Sequence, residues 1–334
     1  MMNLRLRLAG VLSTGFFFVG VMAGGGGNDG DASSGGQAHP AQTEDLPEGD
    51  NGIAANYPDD KGIASDPAVI FADDFESYGS GKDLSVNWNA GVYHNAEIEK
   101  TAANVFTGAQ SLRFTSPQQA AELSNGVQRA VFPERDLLFL RWHSKFESSF
   151  DVVGSSHNGG LISAHYAKDG RATPGIPADG KNKFLIAYEC WRGEEKEPNP
   201  GKLNVYVYHP EQRSMYGDHF FPNGDVLPSS RTPGNFGRDF VKRPNIVPAL
   251  GRWYAYEVML RANTPGKRDG RIALWLDGKL IADFKNLRLR DTPSLTIDRF
   301  SLSLHIRSNP MAETRKWYDN VVAATSYIGP TVKP

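Results

Sequence analysis

Arg141, His143 and Lys145 occupy alternate positions of the stretch FLRWHSKFE, residues 139 to 147, with Leu140, Trp142, Ser144 and Phe146 between them. Arginine and lysine neutralise anions, and histidine takes or gives a proton near neutral pH. Successive side chains of a strand point to opposite faces, so the three basic groups stand side by side and the apolar row lies behind them. Such a face either meets water or lines a groove for an anionic ligand.

Two further stretches show the same habit. In DRFSLSLHIRSN, residues 298 to 309, Phe300, Leu302, Leu304 and Ile306 form one row, which turns Arg299, Ser301, Ser303, His305 and Arg307 the other way. In KLNVYVYHP, residues 202 to 210, Leu203, Val205 and Val207 oppose Asn204, Tyr206 and Tyr208. Glu and Asp are nearly absent from the three polar rows, whereas a solvated face normally mixes both signs. Donors, titratable rings and tyrosines are what a groove for an anionic chain needs. Alternation sets the facing of Arg141, His143, Lys145, Tyr206, Tyr208, His305 and Arg307 strand by strand.

The elements that must position these side chains are strands. Period-two segments separated by turn residues run over 69–75, 111–115, 137–146, 160–166, 183–191, 203–209, 253–261, 271–276, 279–284, 298–307 and 317–325. Asp277-Gly278 reads as a tight hairpin turn. Helical periodicity is confined to a short turn near Pro117 to Leu123, so the fold class is all-β, a sandwich or jelly roll of two antiparallel sheets.

Residues 1–23 read as a secretory signal peptide: Arg5 and Arg7 precede an apolar run from Leu8 to Met22, and Val21-Met22-Ala23 offers a small-residue cleavage site. The glycine-interrupted run followed by GGGG argues against a stable membrane span. The leader resembles that of bacterial lipoproteins, except that Gly24 stands where the lipidated cysteine would be. Residues 24–66 read as a flexible acidic linker. Nine of the 38 acids and three of the 36 bases precede residue 67, which leaves 29 against 33, a balance of +4 for a chain whose formal charge is -2. Cys190 is the single cysteine, so no intramolecular disulfide forms and a large core must hold the domain, residues 67–330. The expected setting is secreted, periplasmic or cell-surface bacterial, and the expected state a monomer.

The segments FADDFESY (71–78), GAQSLRF (108–114), GRWYAYEVMLRANTPGKRDGRIALWLDGKLIADF (251–284) and KWYDNVVAATSYIGP (316–330) resemble the concanavalin A-like jelly rolls, and among them bacterial polysaccharide lyases related to alginate and glucuronan lyases. SSHNGGL, residues 155 to 161, resembles the lyases' glycine-rich loop, with His157 near the place where a lysine is usual. CWRG followed by LNVYVYHP resembles their paired strands, which puts Tyr206 and Tyr208 on a Tyr-x-Tyr motif. The arginine expected three residues before the tryptophan of CWR is Tyr188 here, so the neutralising group must come from elsewhere or the substrate differs.

The resemblance implies that the strands carrying Arg141, His143, Lys145, Tyr206, Tyr208, His305 and Arg307 are neighbours, so that the seven side chains are expected to line one concave sheet. It also implies β-elimination on a uronic-acid polymer. The C6 carboxylate must be neutralised, a base removes the C5 proton and an acid protonates the C4 oxygen. The catalytic candidates are Arg141 as neutraliser, with Arg307 or Asn158 helping, His143 or His305 as base, and Tyr208 or Tyr206 as acid. Lys145, His157, Asn158, Tyr188, Asn204 and Arg307 are the substrate-binding candidates. Arg141→Ala should then cost turnover and barely touch stability, and Trp142→Ala the reverse.

Alternatives are a non-catalytic carbohydrate-binding or laminin G-like module and, third, a glycoside hydrolase. The hydrolase lacks the Glu-x-Asp-x-x-Glu spacing, since Glu97-x-Glu99 and RGEEKE (192–197) do not supply it. His157 and His165 have no further ligands at metal spacing, no cofactor is called for, and a structural Ca²⁺ on backbone and Asp oxygens leaves no signature of spacing. The partner expected is an anionic polysaccharide, with nucleic acid disfavoured.

Overall fold

The computed structural model describes residues 45–154, 156–168, 171–228, 240–307 and 312–333. The strands in chain order are β1 (Val69–Asp73), β2 (Gly91–Tyr93), β3 (Ala96–Glu99), β4 (Ser111–Ser116), β5 (Leu123–Arg135), β6 (Leu137–Phe146), β7 (Ser156–His157), β8 (Gly160–Ala164), β9 (Ala167–Lys168), β10 (Arg171–Ala172), β11 (Phe184–Trp191), β12 (Lys202–Tyr208), β13 (Asp218–Phe220), β14 (Val226–Leu227), β15 (Trp253–Arg261), β16 (Gly270–Leu276), β17 (Lys279–Leu287), β18 (Ile297–Ile306) and β19 (Thr314–Ala324). They form two antiparallel sheets and a small β9–β10 hairpin. The back sheet runs β17-β16-β15-β6-β19-β4-β3, with β1 on β19. The front sheet runs β14-β13-β12-β11-β8-β18-β5-β2, with β7 on β18.

All eleven expected strands are present within a few residues of their expected ends. Asp277 and Gly278 both take positive φ, 50° and 75°, the conformation of a tight hairpin turn between β16 and β17. No helix forms near Pro117 to Leu123, where Leu123 instead opens β5, a strand whose Gly126 and Pro133 hide its period.

The alternation of each strand sets the core. Leu138, Leu140, Trp142 and Phe146 of β6 meet Ile162, Ile186, Tyr188, Val205 and Leu302 of the front sheet in one large apolar cluster. A second cluster lies on the outer face of the back sheet, where Phe139, Met259, Trp275 and Val322 are covered by Ile53, Ala54, Ile63, Tyr327 and Ile328.

That second cluster corrects the linker expected over residues 24–66. Its part from residue 45 onward is packed: three 3-10 turns, Ile53–Asn56, Pro58–Asp60 and Ile63–Ser65, lie on the back sheet. Backbone bonds tie them down, among them Gly49 N–H to Gly278 O, Ala54 N–H to Ile328 O and Asp59 N–H to Val332 O, each 2.8 Å. Few apolar residues suffice because each of them lands on an apolar sheet face. The expected signal peptide and the first part of the linker, residues 1–44, lie outside the described residues.

Candidate active site

Arg141, His143 and Lys145 share a face as their spacing requires, but the face belongs to the back sheet, and β6 has no place beside β12 or β18. Arg141 is fully buried: its Nη1 donates to Asp60 Oδ2 at 2.7 Å and to Asn320 O and Thr331 Oγ1, each at 3.0 Å. The His143 ring stacks on Phe106 at 3.9 Å, and burial together with the Arg141 charge holds it well below its ordinary pKa. Lys145 lies over the Trp253 and Trp317 rings and donates to Ala103 O and to Asn104 Oδ1. These three are structural cations and rings, so their expected roles in catalysis and substrate binding are corrected. The expectation of seven side chains on one concave sheet fails with them.

Tyr188 is also misplaced. It points between the sheets, where it packs edge-on to Trp142 and Tyr256 and donates to Trp275 O at 3.2 Å. Asn158 does not face a groove either. Its Nδ2 donates to Cys190 O at 2.9 Å and its Oδ1 accepts from Cys190 N–H at 3.0 Å, so the side chain extends the ladder beside β11.

The front sheet does gather His157, Asn204, Tyr206, Tyr208 and His305. β11 and β12 pair Ala187 with Tyr206 and Glu189 with Asn204, and β7 and β18 pair His157 with His305. The rings form a row across the strands. Centroids are 5.4 Å apart between His305 and His157, 5.0 Å between His157 and Tyr206, and 4.9 Å between Tyr206 and His219. Trp191, half-buried, continues the row 5.2 Å beyond His219. β18 and β7 are neighbours, as are β12 and β13, whereas His157 and Tyr206 meet across β11, which carries Glu189 between them. Arg307 follows β18 at its exposed end, and no contact ties it to the row.

Glu189, His219 and Trp191 were not singled out by sequence. Glu189 is the residue that changes the chemistry of the row. Its buried Oε2 sits 2.9 Å from His157 Nδ1, and its Oε1 is buried without a hydrogen-bond partner. Burial opposes a charge on either group. For His157 the Glu189 carboxylate outweighs burial, through its charge and the hydrogen bond, and holds the imidazole above its ordinary value. Burial raises Glu189 itself. The pairing sets the tautomer: with Nδ1–H on Glu189, Nε2 is left as the free ring nitrogen, the arrangement that makes a general base.

The neighbours differ from His157. Burial and the His157 charge depress His219 and His305 to about 3, so both stay neutral where His157 titrates. His219 Nδ1 lies 2.9 Å from Asn204 Oδ1, and His305 Nδ1 is hydrogen-bonded to the Ser124 hydroxyl. Tyr206 is raised by burial and by Tyr208 beside it. Its hydroxyl accepts Gly217 N–H at 2.8 Å, and that of Tyr208 accepts Gly175 N–H at 3.2 Å, so backbone from the flanking loops fixes both. The row thus holds a histidine raised by a carboxylate next to a tyrosine that keeps its proton. Among the described residues no group of three or more His, Cys, Asp or Glu is arranged to hold a metal ion.

No protein-family model matches the sequence, and no curated protein matches it. Solved structures do match. The chain is similar to the alginate lyase Aly36B, solved in complex with an alginate tetrasaccharide, at 18% identity and a TM-score of 0.55, over 78% of this chain and 98% of that one. It is similar to the alginate lyase vAL-1 from Chlorella virus at 16% identity and a TM-score of 0.52, over 78% of this chain and all of the other (100%). An endo-beta-1,4-glucuronan lyase from the fungus Trichoderma reesei matches at 15% identity and a TM-score of 0.47, over 77% and 96%. The matches to the two alginate lyases show that this chain has their jelly-roll fold.

Proposed function

We propose that this protein is a lyase that cleaves a uronic-acid-containing polysaccharide by β-elimination on the front sheet. The observation that carries the reading is the Glu189–His157 pair with Tyr206 beside it. His157 Nε2 takes the C5 proton, the electron pair left behind forms the C4–C5 double bond, and the C4–oxygen bond breaks. The Tyr206 hydroxyl gives its proton to that oxygen, then regains one from water as His157 releases the proton it took. Glu189 steadies the imidazolium that forms, as the acidic partner does in other histidine-based sites. With Ser124 donating to its Nδ1, neutral His305 presents Nε2–H to the substrate carboxylate while charge builds on it. The half-buried Trp191 ring, on the strand next to that of Tyr206 and beyond His219 in the row, offers a stacking surface for a sugar.

Export through residues 1–23 belongs to the same proposal, and no helix among the described residues is long and apolar enough to cross a membrane. The test is a panel of alginate, glucuronan, pectate, hyaluronan and heparin-type glycans, followed by the ultraviolet absorbance of the unsaturated uronate. Absorbance that vanishes in His157→Ala and Tyr206→Phe is the expected result. Binding with no absorbance on any polymer would make the protein a carbohydrate-binding module, and new reducing ends without absorbance would make it a hydrolase.

A further inference from the structure

Lys316 lies beneath the candidate site, between the sheets, with 1% of its surface exposed. Its ammonium sits over Phe146 at 3.8 Å, Tyr318 at 5.0 Å and Tyr256 at 5.5 Å, and donates to the Asn158 carbonyl. An ammonium in an apolar core is costly, and burial lowers this one to about 7. A lysine kept there against that cost needs a reason, and what it touches supplies one.

Asn158 follows His157 in the chain, and its side chain is bonded twice to the backbone of Cys190, which follows Glu189. One residue thus joins the strand of the base to the strand of its carboxylate, and Lys316 holds that residue from below. The next two residues must be glycine: a Cβ on Gly159 would lie 1.8 Å from Tyr188 O, and one on Gly160 would lie 2.5 Å from the Trp142 ring. The loop is therefore pressed onto the core, and its position follows the groups underneath.

We propose that Lys316 is a positioning residue for the His157–Glu189 pair, holding the Asn158 carbonyl and placing a positive charge under Glu189. The inference rests on the reading of His157 as the base, though its effect on the pair is measurable without any reaction. The groups facing Lys316 are Glu189 and Cys190 from β11, Tyr256 from β15 and Tyr318 on its own strand. His157 in turn faces Glu189, the more distant charge of Glu122, and the rings of Tyr206 and His305, and its charge also reaches His219. The Lys316 charge favours the ionised form of Glu189. A cation near a proton-binding pair lowers its affinity for a proton, so removing the cation moves the pair's titration upward.

The experiment follows the imidazole of His157 by nuclear magnetic resonance in the wild type, Lys316→Met and Lys316→Gln, the last of which keeps a donor for the Asn158 carbonyl and lacks the charge. Both variants should raise the His157 titration by roughly half a pH unit to one unit. On the expected substrate the acid limb of kcat/KM should rise with it, kcat should fall more in Met than in Gln, and KM should hardly move. A His157 titration unchanged in both folded variants overturns the proposal, whatever happens to stability. Should neither variant fold, the wild-type amine decides: the Lys316 Nζ resonance must show an inflection at the pH where His157 titrates, and its absence overturns the proposal. A protein that never releases an unsaturated uronate would end the lyase reading and leave these titrations to judge Lys316.

Discussion

Two polar rows cross this molecule, one on the outer face of the back sheet and one on the outer face of the front sheet, and they are built from similar residues. The first has Arg141, His143 and Lys145; the second has His157, Tyr206, His219 and His305. In the first, Asp60, Phe106, Asn104 and Thr331 have closed over every polar head, so that Arg141 is a buried ion pair and His143 a stacked ring. In the second, one carboxylate, Glu189, holds one imidazole by one nitrogen and leaves the other nitrogen free. A basic row on a sheet therefore says little about function until its cover is known. What separates the two faces is whether other segments of the chain cover them: residues 45–66 and Thr331 lie over Arg141, and residues 103–106 over His143 and Lys145.

The largest effect expected comes from removing that cover. A chain starting at residue 67 loses Ile53 and Ile63 and leaves Arg141 buried without Asp60, so denaturant unfolding should show a loss above about 5 kcal/mol. A chain starting at residue 45 should match the full-length stability. Equal stability of both truncated chains would show that the back row is not sealed by this segment.

Arg141→Ala should cost roughly 3–5 kcal/mol, because it strands the Asp60 carboxylate, which is 6% exposed. Its kcat at a temperature where it stays folded should equal that of the wild type. This inverts the behaviour expected when Arg141 is taken as a groove residue. His157→Ala should act on the reaction instead, with turnover lower by about a hundredfold to ten-thousandfold at a temperature where the variant stays folded. A His157→Ala enzyme with full activity would erase the distinction between the rows.

Glu189→Gln sharpens it. Without the carboxylate the His157 pKa should fall, so the acid limb of kcat/KM moves to lower pH while kcat drops roughly tenfold to a hundredfold. The wild-type linkage has a matching sign. His157 is raised in the folded state, so the pair stabilises the protein below the ordinary histidine pKa and that contribution fades as pH rises through the raised value. A Glu189→Gln profile superimposable on the wild type would remove Glu189 from the site. The smallest effect is reserved for Trp191→Ala, which should raise KM for the polymer about threefold to tenfold through lost stacking and leave kcat alone.

Much of the fold was legible in residue order. Alternation in 137–146, 203–209 and 298–307 assigned every facing correctly, including Trp142 inward and Tyr206, Tyr208 and His305 outward. The turn Asp277-Gly278 was equally plain, because its conformation depends on two adjacent residues. The short strands were not: Asp218–Phe220 has three residues, too few for a period, and His219 went unnoticed with it. Glu189 was hidden for another reason. It stands in Phe184–Trp191 among residues that read as continuous core, and only β7 arriving beside β11 gives its charge a partner.

The sequence by itself determined which residues form strands and which side of its own strand each side chain takes, since both are local matters of backbone geometry and hydrophobic pattern. It left open which strands become neighbours and which faces are covered, because pairing is a contest among segments more than a hundred residues apart. Tertiary structure placed β6 in the back sheet and β12 and β18 in the front one, laid residues 45–66 over Arg141, and brought Glu189 within 2.9 Å of His157 from 32 positions away. The physical reason is that a period-two pattern fixes a facing relative to a strand axis, whereas a site is made where several axes meet.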